Sequence, residues 1–141
     1  MSQLTSVIKS ANSSLHSATV IFLHGLGDSG HGWEPIAIEI GEKMEHVKFV
    51  LPNAPIRPIT INAGMKMPGW FDVTTLNVDQ INGVDEDGVM ESISQIKKLI
   101  KDEIDSGIAS NRIVVGGFSQ GTTIALATGI TSEYPLAGIV G

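Results

Sequence analysis

The 141-residue sequence contains no cysteine. This absence excludes a disulfide framework and any metal site built from thiolates, and it is typical of a reducing compartment. The net charge is −6 and no basic run occurs, so nucleic acid is not predicted as a partner. No apolar run approaches the ~20 residues of a membrane span. We therefore expect no integral membrane segment.

The N-terminal segment Met1–Lys9 lacks the charged start and the apolar centre of a signal peptide. Together with the missing cysteine, this predicts a soluble intracellular protein, located in the cytoplasm with the nucleus as an open alternative. No cofactor-binding pattern is evident, and none is predicted. Histidine is absent from the second half of the chain: all four histidines lie in the first 46 residues, at His16, His24, His31 and His46.

What the sequence does contain is a regular alternation of apolar runs with segments of helical spacing. Strands are expected at Thr19–Leu23, Val47–Leu51, Ile113–Gly116 and Leu136–Val140, and helices at Trp33–His46, Asp85–Asp105 and Thr122–Thr128. This alternation predicts a single α/β domain, with a mostly parallel sheet covered by helices on both faces. The proline-rich segment Pro52–Gly69 is expected to be irregular.

The main chemical signal is Gly117-Phe118-Ser119-Gln120-Gly121, which directly follows the apolar run at Ile113. Chance alone yields about 0.16 such patterns in a chain of this composition, so the context has to support it. A serine between two glycines, after a buried strand and before a helix, is how a serine hydrolase presents its nucleophile. An ordinary glycine-rich loop with an idle serine is the alternative. Gly117 and Gly121 are expected where a side chain would collide with a neighbouring element.

A second glycine-rich loop, His24–Gly32, follows the first strong strand. Acyl transfer develops negative charge on a carbonyl oxygen, and losing one N–H donor to that oxygen typically costs ~3–4 kcal/mol of barrier. One such donor comes from the residue after the nucleophile, here Gln120, and the other from a loop of this kind. The sequence of this loop fits a phosphate-binding loop less well, because the third glycine of G-x-G-x-x-G and the lysine of a P-loop are missing.

Four segments together resemble the acyl-protein thioesterases, which belong to the phospholipase/carboxylesterase group of α/β-hydrolases. The segments are His24–Trp33, Leu51–Pro58, Met67–Asp72 and Asn111–Gly121. The resemblance implies an α/β-hydrolase fold and hydrolysis of long-chain acyl thioesters from S-acylated proteins, that is, depalmitoylation. It also implies that Ser119 is the nucleophile and that the backbone N–H groups of Leu26 and Gln120 form the oxyanion hole. Thr122 stands where the family usually has glycine and is expected to crowd the helix.

The resemblance also implies a departure in length, because the triad aspartate and histidine of the family correspond to positions beyond Gly141. The chain is then expected to be a partial domain, residues 1–141, that ends within the strand after the nucleophile helix. C-terminal strands and helices of the family would be missing, and the chain alone would be inactive. The four histidines all precede Ser119; His24 and His31 are expected to support the fold or line the substrate site.

Two alternatives stay open. One is a carboxylesterase or lysophospholipase, and the other is a non-catalytic lipid-binding or interaction module. Three residues of the irregular segment, Met65, Met67 and Trp70, are candidates for lining an acyl channel, because methionine adapts to irregular apolar ligands; simple packing on the sheet is equally compatible. The apolar edge at residues 136–140 carries neither charge nor proline, which predicts a homo-oligomer through that edge.

Overall fold

The computed structural model describes residues 3–12, 15–77, 79 and 83–141. Along the chain its strands and helices are β1 (Ser6–Lys9), β2 (Ala18–Leu23), α1 (Glu34–Lys43), β3 (Val47–Pro52), β4 (Ile56–Ile59), β5 (Met65–Pro68), α2 (Glu86–Asp105), β6 (Ile113–Gly117), α3 (Gln120–Ile130) and β7 (Gly138–Val140). The predicted alternation of strands and helices is confirmed for the main sheet.

The main sheet has five strands in the order β1-β3-β2-β6-β7. Strand β1 runs antiparallel to β3, and all other neighbours are parallel. In the centre, Val20 pairs with Phe49 on one side and with Val114 on the other. This mixed, mostly parallel sheet is the α/β-hydrolase arrangement that the sequence predicts.

Helices cover both faces of the sheet. On one face α2 and α3 pack against β2, β3 and β6, in a core that includes Ile21, Ile96, Ile113 and Ile124. On the other face α1 contributes only Ala37 to the buried cluster around Phe49. Ile36 and Ile40 of α1, and Met44 directly after it, stay more than 40% exposed and border an apolar groove, although their spacing is helical. The second face is therefore less completely covered than the first.

The residues of its first turn explain where helix α2 begins. Asp85 precedes α2, and its carboxylate accepts a hydrogen bond from the N–H of Gly88 at 2.9 Å. Glu86 and Asp87 follow in the first turn, where negative charge is favoured by the helix dipole. Asp85 therefore caps the N-terminus of α2.

The segment predicted to be irregular instead contains a hairpin. Strands β4 and β5 pair antiparallel, with Ile56 opposite Pro68 and Ile59 opposite Met65. The prediction was wrong because a two-stranded ribbon exposes both outer edges, and proline is tolerated on such edges. At the hairpin turn, the Thr60 hydroxyl and N–H donate to the Asp72 carboxylate, and these bonds lower the pKa of Asp72 below its ordinary value.

Three parallel strands end at the same edge of the sheet. Strand β2 leads into His24, β3 into Asn53 and β6 into Phe118. The carboxyl edge of a parallel sheet is where ligands bind in open α/β folds. The glycine loop and the serine pentapeptide, far apart in sequence, are thus brought to one place.

Candidate active site

Ser119 lies between β6 and α3 in an uncommon backbone conformation, with φ 52° and ψ −120°. Among the described non-glycine residues only Ala63 shares a positive φ. Such a conformation costs about 1–3 kcal/mol and persists only where the surroundings impose it. The residue is solvent-exposed, and its side chain does not cap α3. A turn of this shape presents the Ser119 hydroxyl outward from the carboxyl edge of the sheet.

The two glycines of the pentapeptide permit this turn by close backbone approach. A Cβ atom on Gly117 would lie 2.3 Å from the carbonyl carbon of Gly121. A Cβ atom on Gly121 would lie 2.3 Å from the carbonyl oxygen of Leu23, at the end of β2. Both contacts are with backbone, which cannot rotate away. The predicted collisions are therefore confirmed. The absence of side chains at Gly117 and Gly121 lets α3 pack closely against the start of the glycine loop.

The glycine loop lies directly beside Ser119. A Cβ atom on Gly25 would lie 3.4 Å from the Cβ of Ser119. Within the described part of the chain, the backbone N–H groups of Leu26 and Gln120 have no hydrogen-bond partner, whereas the adjacent N–H groups of Gly27 and Gly121 donate to Pro68 and Phe118. These two N–H groups therefore remain available on the two segments that meet beside Ser119, and acyl transfer uses free N–H donors of this kind.

His24 is completely buried behind the glycine loop. Its Nε2 accepts a hydrogen bond from the N–H of Ala54 at 3.0 Å, so Nδ1 carries the proton and donates to the Gly25 carbonyl oxygen at 2.7 Å. Burial lowers the pKa of His24 below its ordinary value. Both ring nitrogens are thus occupied by the backbone, and His24 supports the loop.

The other histidines lie elsewhere. His31 is exposed on the glycine loop and pairs with Glu34 at 3.1 Å. His16 and His46 precede β2 and β3, at the edge of the sheet opposite to Ser119. His16 contacts the Thr19 hydroxyl there at 2.9 Å. The structure therefore brings no histidine ring into position beside the Ser119 hydroxyl.

Asn53 is a supporting residue that sequence reasoning missed. Its side-chain oxygen accepts a hydrogen bond from the Gly30 N–H at 2.8 Å, and its side-chain nitrogen donates to the Thr5 hydroxyl at 3.1 Å. Asn53 thereby connects the glycine loop to Thr5, the residue directly before strand β1. The signal available in the sequence is the polar residue immediately after a buried strand, at the carboxyl edge.

The three candidate channel residues differ in their surroundings. Met65 is 64% exposed on the hairpin. The Met67 sulfur would lie 3.7 Å from a Cβ atom on Gly27, and so it borders the glycine loop. Trp70 is completely buried and its indole N–H donates to the His24 carbonyl oxygen, so it offers no surface to a ligand. The structure thus places the bulk and the indole N–H of Trp70 inside the domain, and a part for Trp70 in an acyl channel stays a prediction.

Thr122 is accommodated where crowding was expected. Its hydroxyl donates to the Gly117 carbonyl oxygen at 2.8 Å. Its methyl group would be 2.3 Å from a Cβ atom on Gly141, so the space that it fills lies beside the last residue of the chain. The extra side chain thus fastens the first turn of α3 to the end of β6.

No three acidic or histidine side chains of the described residues come together in a way that could hold a metal ion. Within those residues no helix is both long enough and apolar enough to cross a membrane.

Comparison with known proteins gives a consistent result. Residues 4–141 match the family model described as phospholipase/carboxylesterase. The chain is 50% identical over 129 residues to acyl-protein thioesterase 1 of Yarrowia lipolytica, covering 89% of this chain and 56% of that protein. It is also 50% identical over 126 residues to acyl-protein thioesterase 1 of Cryptococcus neoformans, covering 89% of this chain and 53% of that protein.

Solved structures show the same likeness. Arabidopsis thaliana SOBER1 superimposes with a TM-score of 0.77 at 33% identity, covering 87% of this chain and 59% of that chain. Zea mays acyl-protein thioesterase 2 superimposes with a TM-score of 0.70 at 30% identity, covering 89% of this chain and 50% of that chain. The chain spans about half the length of the curated relatives that it matches.

Proposed function

The chain belongs to the phospholipase/carboxylesterase family of α/β-hydrolases, and from that premise we propose that it provides the nucleophile and the oxyanion hole of an acyl-protein thioesterase. The substrates would be long-chain acyl thioesters on S-acylated proteins. The observation that carries the proposal is the strained, exposed turn of Ser119 beside Gly25, with the N–H groups of Leu26 and Gln120 left without a partner among the described residues. The names of the relatives support the thioester substrate class.

In the proposed reaction, the Ser119 oxygen attacks the thioester carbonyl carbon while its proton passes to a histidine base. The N–H groups of Leu26 and Gln120 stabilise the oxyanion that forms. The carbon–sulfur bond then breaks, and the cysteine thiol leaves with the proton. A water molecule attacks the acyl-serine ester in the same manner, which releases the fatty acid and restores the Ser119 hydroxyl.

The base is the part that these 141 residues do not provide near Ser119, because both nitrogens of His24 are occupied and the other histidines lie elsewhere. A serine hydroxyl without a base is a poor nucleophile at neutral pH. We therefore propose that this chain alone reacts slowly, and that its base and triad acid correspond to family positions beyond Gly141. Residual reactivity from the oxyanion hole alone is expected to be small but measurable.

The test is labelling by a fluorophosphonate probe, in the protein as its gene encodes it and in the 141-residue chain. We expect labelling at Ser119 alone in the former, its loss in Ser119→Ala, and much slower labelling in the latter. Hydrolysis of a palmitoylated peptide should be lost in Ser119→Ala as well. Normal turnover by Ser119→Ala would contradict the nucleophile assignment, and fast labelling of the 141-residue chain would contradict the missing base.

The same assay separates the thioesterase from a carboxylesterase or lysophospholipase. A preference for the palmitoyl thioester over the matched oxyester and over a lysophospholipid supports the proposal, and the reverse order favours the other activities. Binding of acyl chains without any turnover would favour a lipid-binding module.

We further propose a cytoplasmic location, which cell fractionation tests directly.

A further inference from the structure

The side chain of Gln120 is almost completely buried, with 7% of the residue exposed, although glutamine is usually a surface residue. Its Oε1 accepts a hydrogen bond from the Trp70 N–H at 2.8 Å, and its Nε2 donates to the Phe71 carbonyl oxygen at 2.7 Å. The amide therefore pairs with two successive backbone groups, as a neighbouring strand would. This pairing needs both an acceptor and a donor on the same side chain.

Trp70 continues the connection to the glycine loop. Its indole N–H donates to the His24 carbonyl oxygen at 2.8 Å, and its own carbonyl oxygen accepts from the Ser92 hydroxyl at 2.5 Å. The same His24 oxygen would lie 2.6 Å from a Cβ atom on Gly121. One residue thus joins the first turn of α3, the end of β2 and helix α2 by hydrogen bonds that are all buried.

This arrangement bears on the two N–H groups of the proposed oxyanion hole. They belong to different segments: Leu26 follows β2, and Gln120 begins α3. Their separation has to match one oxygen atom to within a few tenths of an ångström if both are to stabilise it. The hydrogen-bonded chain Gln120–Trp70–His24 joins these two segments: it starts at Gln120, which carries one donor, and ends at His24, two residues before Leu26, which carries the other.

We propose that Gln120 is a positioning residue through its side chain, which holds the spacing of the two oxyanion donors by way of Trp70. This role rests on the proposed function and goes beyond it, because it gives the buried side-chain amide of Gln120 a part in the reaction in addition to that of its backbone N–H. Loss of the amide would weaken binding of the transition state and leave ground-state binding of the substrate unchanged, since the side chain itself faces away from solvent.

The test compares Gln120→Met with a matched control in the protein as its gene encodes it. Gln95 of α2 is another buried glutamine, 8% exposed, whose Oε1 has no partner among the described residues. Gln95→Met therefore removes a buried amide of equal size outside the site. We expect Gln120→Met to lower kcat at least tenfold with KM within twofold, and Gln95→Met to leave both within twofold. Hydrogen exchange at the Trp70 N–H should accelerate in Gln120→Met only.

Gln120→Glu supplies a second readout that stays informative if Gln120→Met fails to fold. An ionised glutamate can accept from the Trp70 N–H but has no proton for the Phe71 oxygen, whereas a protonated glutamic acid offers both functions. The ratio of the kcat of this variant to the wild-type kcat should therefore rise as the pH falls from 8 to 5. A ratio that stays constant or falls would overturn the positioning role.

Other outcomes are equally decisive. The positioning role would be overturned by a wild-type kcat in Gln120→Met, by a change in its KM alone, or by a loss of kcat in Gln95→Met as large as that in Gln120→Met. If Ser119→Ala is inactive in the same experiment, the proposed function still stands. Unchanged exchange at the Trp70 N–H would overturn the connection itself, whatever the reaction is. Full activity in Ser119→Ala would instead refute the proposed function, and the positioning role would fall with it.

Discussion

Gly121 and Leu23 approach so closely that a Cβ atom on Gly121 would lie 2.3 Å from the Leu23 carbonyl oxygen. Leu23 ends the central strand β2, and Gly121 lies in the first turn of α3. This contact joins the element that carries the glycine loop to the element that follows Ser119. The site therefore depends on the absence of one methyl group at a backbone-to-backbone contact.

Gly121→Ala should destabilise the domain by about 3 kcal/mol, because the new methyl group meets backbone that can move only with the strand. The control is Gly138→Ala, since a Cβ atom there would have no heavy atom within 4 Å and Gly138 has no positive φ. Urea denaturation of both variants measures the difference. Equal stabilities would show that the contact between Gly121 and Leu23 is easily relieved.

Thr122→Val should cost about 1 kcal/mol of unfolding free energy, because it removes the hydroxyl that donates to the Gly117 oxygen and keeps the shape of the side chain. Thr122→Ser keeps the donor and should recover most of that loss. Denaturation midpoints at equal slope give the comparison. If Thr122→Val is as stable as the wild type, the hydrogen bond between Thr122 and Gly117 does not stabilise the turn at Ser119.

The pH dependence of stability should contain a contribution from His24. Because burial lowers its pKa in the folded state, the unfolded chain binds the proton more readily. The contribution of His24 to the free energy of unfolding is therefore fully present above the unfolded pKa of about 6.5, and it is lost progressively as the pH falls below that value. Unfolding free energies at pH 7.5 and pH 5 should differ less in His24→Gln than in the wild type. A difference between the two pH values in His24→Gln as large as that of the wild type would contradict the assignment.

Met65→Asp tests whether the exposed hairpin face takes part in acyl binding. If Met65 lines an acyl channel, the variant should raise KM for long acyl chains several-fold more than KM for acetyl esters. Met90 on α2 is the matched control, because it is 63% exposed and Met65 is 64% exposed. Met90→Asp should leave both constants unchanged. An equal effect of Met65→Asp on long and short substrates would mean that the hairpin is simply packed on the sheet.

The 141-residue chain should self-associate through β7. Within the described part of the chain this strand pairs with β6 and has no strand on its other side. Val140 is 57% exposed beside the apolar groove that Phe22, Val114 and Ile36 also line. An apolar edge next to an apolar face favours pairing with another chain. Sedimentation velocity at micromolar concentration should show a dimer or larger species, and Val140→Lys should weaken it. Ile56→Lys, at a distant exposed site, is the control; a single monomeric species in the wild type would refute the association.

Several features of this protein follow from the sequence alone, because they depend on local pattern. Consecutive β-branched residues predict β6, helical spacing with an acidic start predicts α2, and the glycines around Ser119 predict the turn that the structure shows. In each case the residues that determine the element are neighbours along the chain. The family resemblance rests on the same local segments.

Only the tertiary structure decided the features that depend on partners far away in sequence. Strand β1 exists because Ser6–Lys9 pairs with β3, and the hairpin forms because Ile59 meets Met65 across a turn. Trp70 could be placed at a surface or in the interior from its sequence context, and its burial was decided by the Gln120 amide and the His24 carbonyl oxygen. Such contacts form only when the sheet brings separate segments together, so no local pattern records them.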